Sequence, residues 1–263
     1  FNELEFRNLL VNFTRTFALK EEENSTKTTE TKEIASNTLS EQKPKKPVKT
    51  SKDGQFDLFA TPGTGNVSEE EVASGYKTIA TTNHFYQHID SPLSRKMLLK
   101  KLLQQTSVCF DTETTGLKAL EVELIGIAFS YEIGKGYYVS FPEDQEETKT
   151  ILEEFRPFFE SEGIEKIGHN LKYDIKVLSN YEMPVSGKLF DTMIAHYLIN
   201  PDMRHNMDML AETYLNYQPV SITELIGKKG KNQLSMREID IAKQTQYAVE
   251  DADITLQLKE HFT

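Results

Sequence analysis

The chain has 263 residues, of which 38% are hydrophobic and 10% aromatic, enough apolar material for one large or two small globular domains. Its formal net charge of −11 excludes a broadly basic nucleic-acid-binding protein, although an acidic metal pocket lowers net charge and leaves local basic patches intact. The single cysteine, Cys109, excludes an internal disulfide and a cysteine-based zinc site.

The cellular compartment follows from the same composition. Cys109 lies in an apolar run, which predicts a small core residue in a reducing environment. The sequence contains no apolar stretch of membrane-spanning length and no export signal. We therefore expect no membrane partner and a cytoplasmic location.

The first 75 residues are predicted to lie outside the main domain. Residues 1–20 place apolar side chains at a near-helical period, which predicts a helix that ends a preceding domain or docks elsewhere. Residues 21–54 lack aromatics and are rich in Glu, Lys, Ser and Thr, so residues 21–75 are predicted to be a disordered linker. The basic run over residues 43–52 is either a phosphate contact or a solvated charge run.

An apolar island interrupts this linker at Gln55-Phe-Asp-Leu-Phe59. It resembles the pentapeptide by which bacterial polymerases and repair proteins bind the sliding clamp. The resemblance implies that Gln55, Leu58 and Phe59 fill the clamp's pockets. A chance match and docking onto the chain's own domain are the alternatives.

Globular patterning begins near residue 76. An edge strand is predicted over residues 77–81, and a helix over 91–105 that Ser91 opens, with an apolar side formed by Met97, Leu98, Leu102 and Leu103. The next predicted element is a strand within residues 108–117 that carries acidic residues at its end. It is followed by a hairpin of strands 124–131 and 136–141, a helix over 146–160 and a strand over 164–168. This order predicts a mixed α/β sheet with helices on its faces.

The last third of the chain is predicted to be helical. The helices cover residues 170–180, 192–198, 207–214, 222–226 and 236–262.

The acid-bearing strand, residues 108–117, reads Val-Cys-Phe-Asp-Thr-Glu-Thr-Thr-Gly-Leu. Because residues two apart in a strand point to the same face, Asp111 and Glu113 should project side by side, about 6 to 7 Å apart along the chain. Like charges so placed repel each other unless a cation lies between them, and oxygen ligands without thiols suit Mg²⁺ or Mn²⁺. A solvated strand end without a metal is the alternative.

Two later segments carry polar pairs at helical spacing. Asn170 and Asp174 lie four residues apart, as do Tyr247 and Asp251, and residues at this spacing share a helix face. Either pair alone is typical of a solvated helix. Together, and following the strand acids in this order, they indicate one site with four carboxylates.

Three motifs resemble those of the DnaQ-like, or DEDD, 3′-to-5′ exonucleases in the subclass with tyrosine in the third motif. They are Phe-Asp-Thr-Glu-Thr-Thr-Gly-Leu at 110–117, Gly-His-Asn-Leu-Lys-Tyr-Asp at 168–174 and Tyr-Ala-Val-Glu-Asp-Ala-Asp at 247–253. The resemblance covers about residues 76–261 and is strongest to the proofreading domains of bacterial family-A DNA polymerases. Segments 190–193, 207–211 and 230–233 add to it, and residues 1–13 resemble the tail of the 5′ nuclease domain that precedes such domains.

The resemblance implies an RNase H-like α/β fold with a helical C-terminal part over residues 76–263, and a site for two Mg²⁺ or Mn²⁺ ions. Asp111 would bridge both ions, with Glu113 and Asp251 on the ion that carries the nucleophile and Asp174 on the second. Tyr247 would orient the attacking water through its hydroxyl.

The resemblance also implies contacts to DNA with a single-stranded 3′ end. Leu117 would wedge against the terminal base, unless it is an ordinary core leucine, and Asn170, Lys172 and Arg204 would lie near the terminal phosphates. The lysines at 228, 229 and 231 either follow the single strand or are solvated surface. Ile222 departs from relatives that place a base-stacking aromatic there. Asp191 is predicted to cap a helix and Asp253 to lie on the surface.

Three functions are compatible with these patterns. The first is a metal-dependent exonuclease that removes mispaired 3′-terminal deoxynucleotides, joined to a polymerase domain and located at the bacterial nucleoid. The second is an inactive exonuclease-like scaffold that tethers a polymerase to its clamp. The third, a stand-alone ribonuclease, is opposed by the polymerase-like segments. All four carboxylates and the tyrosine are present, which favours activity.

Overall fold

The structure is a computed structural model that describes residues 75–228, 230 and 233–263. The predictions for the N-terminal helix, the linker and the clamp motif lie outside the described residues, as do those for Lys229 and Lys231. The boundary at residue 76 therefore stays a prediction.

A six-stranded mixed sheet forms the centre of the described region, with the strand order β1-β4-β3-β2-β5-β6. β2, β3 and β4 pair antiparallel, whereas β1 pairs parallel to β4, β5 to β2 and β6 to β5. The strands are β1 (Phe85–Ile89), β2 (Ser107–Thr114), β3 (Leu124–Glu132), β4 (Lys135–Ser140), β5 (Glu165–Gly168) and β6 (Leu189–Asp191). The predicted mixed α/β sheet is confirmed.

Helices surround the sheet and dominate the C-terminal part. Their bounds are α1 (Pro92–Leu102), α2 (Gln145–Glu153), α3 (Arg156–Phe159), α4 (Leu171–Ser179), α5 (Thr192–Ile199), α6 (Met207–Leu210), α7 (Ile222–Ile226) and α8 (Ile241–His261). A π-helical turn, Ala211–Leu215, continues α6, and a 3₁₀ turn, Met236–Glu238, precedes α8. Within the described ranges, no helix combines the length and apolar character needed to span a bilayer.

Each face of the sheet has its own core, because alternate residues of a strand point to opposite sides. On one face Phe110 packs edge-on against Phe159, with ring centroids 5.3 Å apart. On the other face the fully buried Cys109 lies in the cluster that α8 covers, as its apolar surroundings predict. Gly136 permits this close approach, since a Cβ there would lie 2.3 Å from Val249 Cγ1.

The predicted edge strand over residues 77–81 is wrong. Lys77 forms only an isolated bridge to Tyr217, and the carbonyl of Thr78 accepts the Thr82 N–H in a turn. The edge strand is β1, which sequence patterning missed, as it missed the three-residue β6. Short edge strands carry too little alternation to stand out.

Two predicted helices are interrupted. The helix over 146–160 is two helices, because Pro157 offers no N–H and its ring would clash with the carbonyl of residue 153. The helix over 236–262 is a 3₁₀ turn followed by α8, with an extended Ile239 between them. The apolar side predicted for α1 holds for Leu98 and Leu102 only, since Met97 and Leu103 are exposed.

Asp253 is buried, which contradicts the predicted surface position. Its side chain is 4% exposed. Oδ2 accepts the hydroxyl of Tyr86 at 2.8 Å and Oδ1 accepts the N–H of Gly134 at 2.9 Å. The carboxylate thus fastens α8 to the edge strand β1 and to the β3–β4 turn.

We expect Asp253→Ala to lower the free energy of unfolding by about 2 to 3 kcal/mol, because two buried donors lose their acceptor. Urea denaturation measures the change. Tyr86→Phe removes one of the two donors and should cost less, and the double variant should fall short of the sum of the two single losses. A loss below about 0.5 kcal/mol for Asp253→Ala would contradict the fastening role.

Candidate active site

The acidic end of β2 lies at the centre of the sheet, between β3 and β5. Asp111 and Glu113 point to the same side there, and α8 brings Asp251 opposite them. The three carboxylates offer ligand atoms that all lie within 4.8 Å of one another. The strand and helix spacings therefore bring three of the four predicted carboxylates into one cluster.

Asp174 lies beside this cluster, on the first turn of α4. It is 3% exposed, and its Oδ1 accepts both the backbone N–H of Thr112 at 3.1 Å and the Thr112 hydroxyl at 2.5 Å. Thr112 is the residue between the two strand acids. Sequence reasoning missed this contact, because spacing within each motif does not reveal a hydrogen bond between the motifs.

Burial raises the pKa of all four carboxyls, and the charges of neighbouring acids add to this effect. Burial, with the charge of Asp174, raises the pKa of Glu113 to about 8. Burial raises the pKa of Asp174 to about 7, against the lowering effect of its hydrogen bonds from Thr112. Burial followed by the neighbouring acids places the pKa values of Asp111 and Asp251 well above their ordinary range.

This donor set fits a hard divalent cation. Buried carboxylates without a cationic partner stay charged at neutral pH only if a cation enters the cluster. Asp111, Glu113 and Asp251 supply only oxygen ligands at a spacing that one ion can span.

The acids line a cavity of about 520 Å³. Tyr247 lies in its wall, half-buried, and burial together with Asp251 and Glu113 raises the pKa of its phenol. The hydroxyl is therefore protonated and able to donate a hydrogen bond. Leu117 also lines the cavity with 90% of its surface exposed, so it is not the core leucine of the alternative interpretation.

The predicted substrate residues divide into two groups. Asn170 lines the cavity with Leu117, as does Ile222 at the position where relatives place an aromatic. Lys172, Arg204 and Lys228 are exposed and do not belong to the cavity lining. The substrate contacts of both groups stay predictions, and only the residues of the first group lie near the acids.

Asn170 does not share a helix face with Asp174, which corrects that prediction. It is the N-cap of α4 in the left-handed conformation, with φ 64° and ψ 42°. Asp174 still points into the cavity from the first helical turn.

Two further cavity residues escaped sequence reasoning. Tyr173 donates its hydroxyl to the carbonyl of Gly116 at 2.6 Å and contacts the Thr114 hydroxyl at 2.6 Å, so it secures the turn that presents Leu117. His169 lines the same cavity, and burial lowers its pKa to about 4, which keeps the imidazole neutral. Both residues lie within the second motif, which was the only signal for them.

Comparison with known proteins decides the family. The sequence profile of the 3′-5′ exonuclease family of DNA polymerase A matches residues 86–263. The chain belongs to this 3′-5′ exonuclease family. The resemblance inferred from the three motifs is thereby confirmed.

The curated relatives agree with this assignment. DNA polymerase I of Pseudomonas aeruginosa is 35% identical over 61% of this chain, and that of Borreliella burgdorferi is 34% identical over 71%. The chain spans 18% and 20% of the lengths of these relatives.

Two solved structures share the fold. The catalytic core of RRP6 from Trypanosoma brucei has a TM-score of 0.54 at 18% identity and covers 75% of this chain and 52% of its own. Brucella melitensis NrnC with bound Mg²⁺ has a TM-score of 0.51 at 21% identity and covers 69% of this chain and 80% of its own. The predicted RNase H-like fold is confirmed.

The raised pKa values predict that the metal-free protein loses stability as pH rises. The unfolded carboxyls release their protons near their ordinary pKa values, whereas folded Glu113 and Asp174 retain theirs up to about 8 and about 7. Between these limits the unfolded state binds fewer protons, so alkaline pH favours unfolding. In EDTA we expect Tm to fall by about 4 °C or more between about pH 5.5 and 8.5, and Mg²⁺ to restore it.

Glu113→Gln is the matched control for this measurement by scanning fluorimetry. It cannot ionise, so its Tm in EDTA should fall less over the same range. An equal fall in both proteins would contradict the assignment of the pH dependence to the cluster.

Proposed function

We propose that this chain is a metal-dependent exonuclease that removes mispaired 3′-terminal deoxynucleotides from DNA and releases nucleoside monophosphates, as the proofreading part of a DNA polymerase. The convergence of Asp111, Glu113 and Asp251 within 4.8 Å, in a cavity that also presents Tyr247 and Leu117, carries the proposal. No observation favours an inactive scaffold, since every carboxylate that the chemistry needs lines this cavity.

Two Mg²⁺ or Mn²⁺ ions are the proposed cofactors. Asp111, Glu113 and Asp251 would hold one ion, and Asp174 together with Asp111 would hold the second. When bound, such a pair lowers the pKa of an attacking water and stabilises the departing 3′ oxygen. Four carboxylates match the charge of two divalent ions, and the Mg²⁺ bound to NrnC supports the choice of metal.

The chain's own residues then orient the attacking water and bind the 3′ end. The protonated hydroxyl of Tyr247 hydrogen-bonds the attacking water and orients it towards the terminal phosphate. Leu117 separates the terminal base from its neighbour, and Asn170 contacts the terminal phosphate with Lys172 and Arg204. Ile222 offers no stacking surface, so the 3′ end loses about 1 to 3 kcal/mol of base stacking there.

The proposed partners are DNA with a single-stranded 3′ end, a polymerase domain of the same full-length protein and the sliding clamp, at the bacterial nucleoid. The polymerase I relatives support the first two. The pentapeptide of the predicted linker supports the third.

Removing the central carboxylate should abolish nucleotide release from a 3′-mismatched primer in Mg²⁺. We expect Asp111→Ala to lower kcat by about a thousandfold or more, because it would leave both ions without their shared ligand. Tyr247→Phe loses only the orienting hydroxyl and should lose about a hundredfold. Release of labelled monophosphate measures both losses.

Asp90→Ala is the control for this experiment, since Asp90 is an exposed aspartate outside the cavity lining and its variant should keep full activity. Absence of release by the wild-type protein would refute the proposed function. Release unaffected by Asp111→Ala would refute it equally.

The clamp contact is testable with the full chain. Deletion of residues 56–59 should abolish binding to the cognate clamp in biolayer interferometry, because the apolar anchors are lost. Deletion of residues 35–38 shortens the predicted linker equally and should leave binding intact. Unchanged affinity after the first deletion would contradict the clamp role.

A further inference from the structure

One carboxylate beside the active site joins the N-termini of two helices. Asp191 is the N-cap of α5, as predicted, and its Oδ1 accepts the N–H groups of Met193 at 2.9 Å and Ile194 at 3.2 Å. The same side chain also reaches α4. Oδ1 accepts the N–H of Asn170 at 3.1 Å, and Oδ2 accepts that of Leu171 at 2.9 Å.

The segment that Asp191 holds adopts an unusual backbone conformation. Asn170 has a positive φ of 64°, which directs its N–H and the next one towards the same carboxylate. A non-glycine residue keeps this conformation only where its surroundings impose it. Asp191 provides the acceptor, and α4 contributes no side-chain cap of its own at Asn170.

Thr192 fixes the preceding residues from the same junction. Its hydroxyl lies 3.3 Å from the carbonyl of Gly168 and 2.9 Å from Nδ1 of His169. Gly168 is also the strand partner of Asp191 in the β5–β6 pair. The β6–α5 junction therefore aligns the backbone from Gly168 to Leu171.

This alignment bears directly on the cavity. Asn170 lines it, and Asp174 enters it from one helical turn further along α4. A shift of the first turn of α4 moves both side chains relative to Thr112, which fixes Asp174 from the strand side. Asp174 is thus positioned from two directions, by Thr112 and by the helix start that Asp191 holds.

We propose that Asp191 is a positioning residue of the exonuclease site. Asp191 sets the placement of Asn170 and Asp174 through the backbone of α4, and thereby determines how tightly the site binds metal and the 3′ end. The proposal rests on the proposed function for its substrate and metal. It extends the role of Asp191 beyond a cap of its own helix.

The two functions of Asp191 are separable by substitution, because Oδ1 serves both helices whereas Oδ2 serves α4 alone. A serine hydroxyl caps helices elsewhere in this chain, at Ser91 for α1 and at Ser221 for α7. Asp191→Ser therefore keeps a cap for α5, but its single, shorter oxygen does not also reach α4. Asp191→Asn retains one acceptor oxygen and turns an NH₂ group either towards the N–H of Leu171 or towards the three N–H groups that Oδ1 accepts.

The matched control is Asp144→Ser. Asp144 caps α2 with one accepted N–H, from Glu147 at 2.8 Å, and does not line the cavity. The same chemical change is thus made at an N-cap without a link to a second helix. The full chain carries each variant, and thermal denaturation establishes that each is folded.

Three measurements test the proposal. Hydrogen exchange by mass spectrometry reports the amides of Asn170 and Leu171, and calorimetry with Mn²⁺ reports metal affinity. Steady-state release over a range of concentrations of a single-stranded oligonucleotide yields KM and kcat separately. For Asp191→Ser we expect faster exchange at these amides, a Kd for Mn²⁺ at least about fivefold higher and a KM at least about fivefold higher. Asp144→Ser should stay within about twofold of wild type in all three.

Mn²⁺ affinity and KM within about twofold of wild type in Asp191→Ser would overturn the proposal. So would equal losses in Asp144→Ser, since these would reflect general destabilisation. If Asp191→Ser does not fold, Asp191→Asn decides by the same criteria. Absence of release by the wild type would refute the proposed function alone, because exchange and Mn²⁺ binding still test the positioning role.

Discussion

Electrostatic repulsion among buried carboxylates is the constraint on which the rest of this structure depends. Asp111, Glu113 and Asp251 offer ligand atoms within 4.8 Å of one another, and Asp174 lies beside them. Glu113, Asp251 and Asp174 are buried, and Asp111 is half-buried. Such a cluster opposes folding unless protons or cations enter it. The fold holds it because β2 is paired on both sides and α8 packs across the sheet, so the backbone segments that carry the acids cannot separate without breaking the core.

The buried acids of the described region differ in the partners that stabilise their charge. This difference distinguishes the acids with a structural role from those of the candidate active site. Asp253 accepts one N–H and one hydroxyl, Glu250 accepts the Tyr217 hydroxyl and the Val220 N–H, and Asp191 accepts four N–H groups. These buried or half-buried carboxylates are internally solvated. The cluster acids are surrounded mainly by one another, which is the arrangement that calls for a metal.

The sequence predicted the acids of the site better than their surroundings. Asp111 and Glu113 followed from the period of a strand, and Tyr247 and Asp251 from the period of a helix, because both periods are local properties of the backbone. Asp253 was misplaced because its partner Tyr86 lies 167 residues away, and no local pattern reveals what lies opposite. The hydrogen bonds of Thr112 to Asp174, and those of Asp191 to the start of α4, were also unpredictable, because each joins segments that are distant in sequence. The short strands β1 and β6 were missed because their pairing partners, rather than their own side chains, define them.

The net charge of −11 is compatible with a DNA substrate once the site is considered by itself. An acidic cavity repels phosphate until cations enter it, and two divalent ions would offset the four negative charges that the proposed DNA substrate would otherwise meet. The cavity lining adds apolar Leu117 and Ile222 and polar Asn170, whereas the exposed Lys172, Arg204 and Lys228 lie outside it. In the proposed function, attraction for the scissile phosphate would therefore depend on the bound cations, and basic residues would contribute from the surroundings. The same carboxylates that make the net charge unfavourable for nucleic acid would thus hold the cations that the proposed DNA substrate contacts.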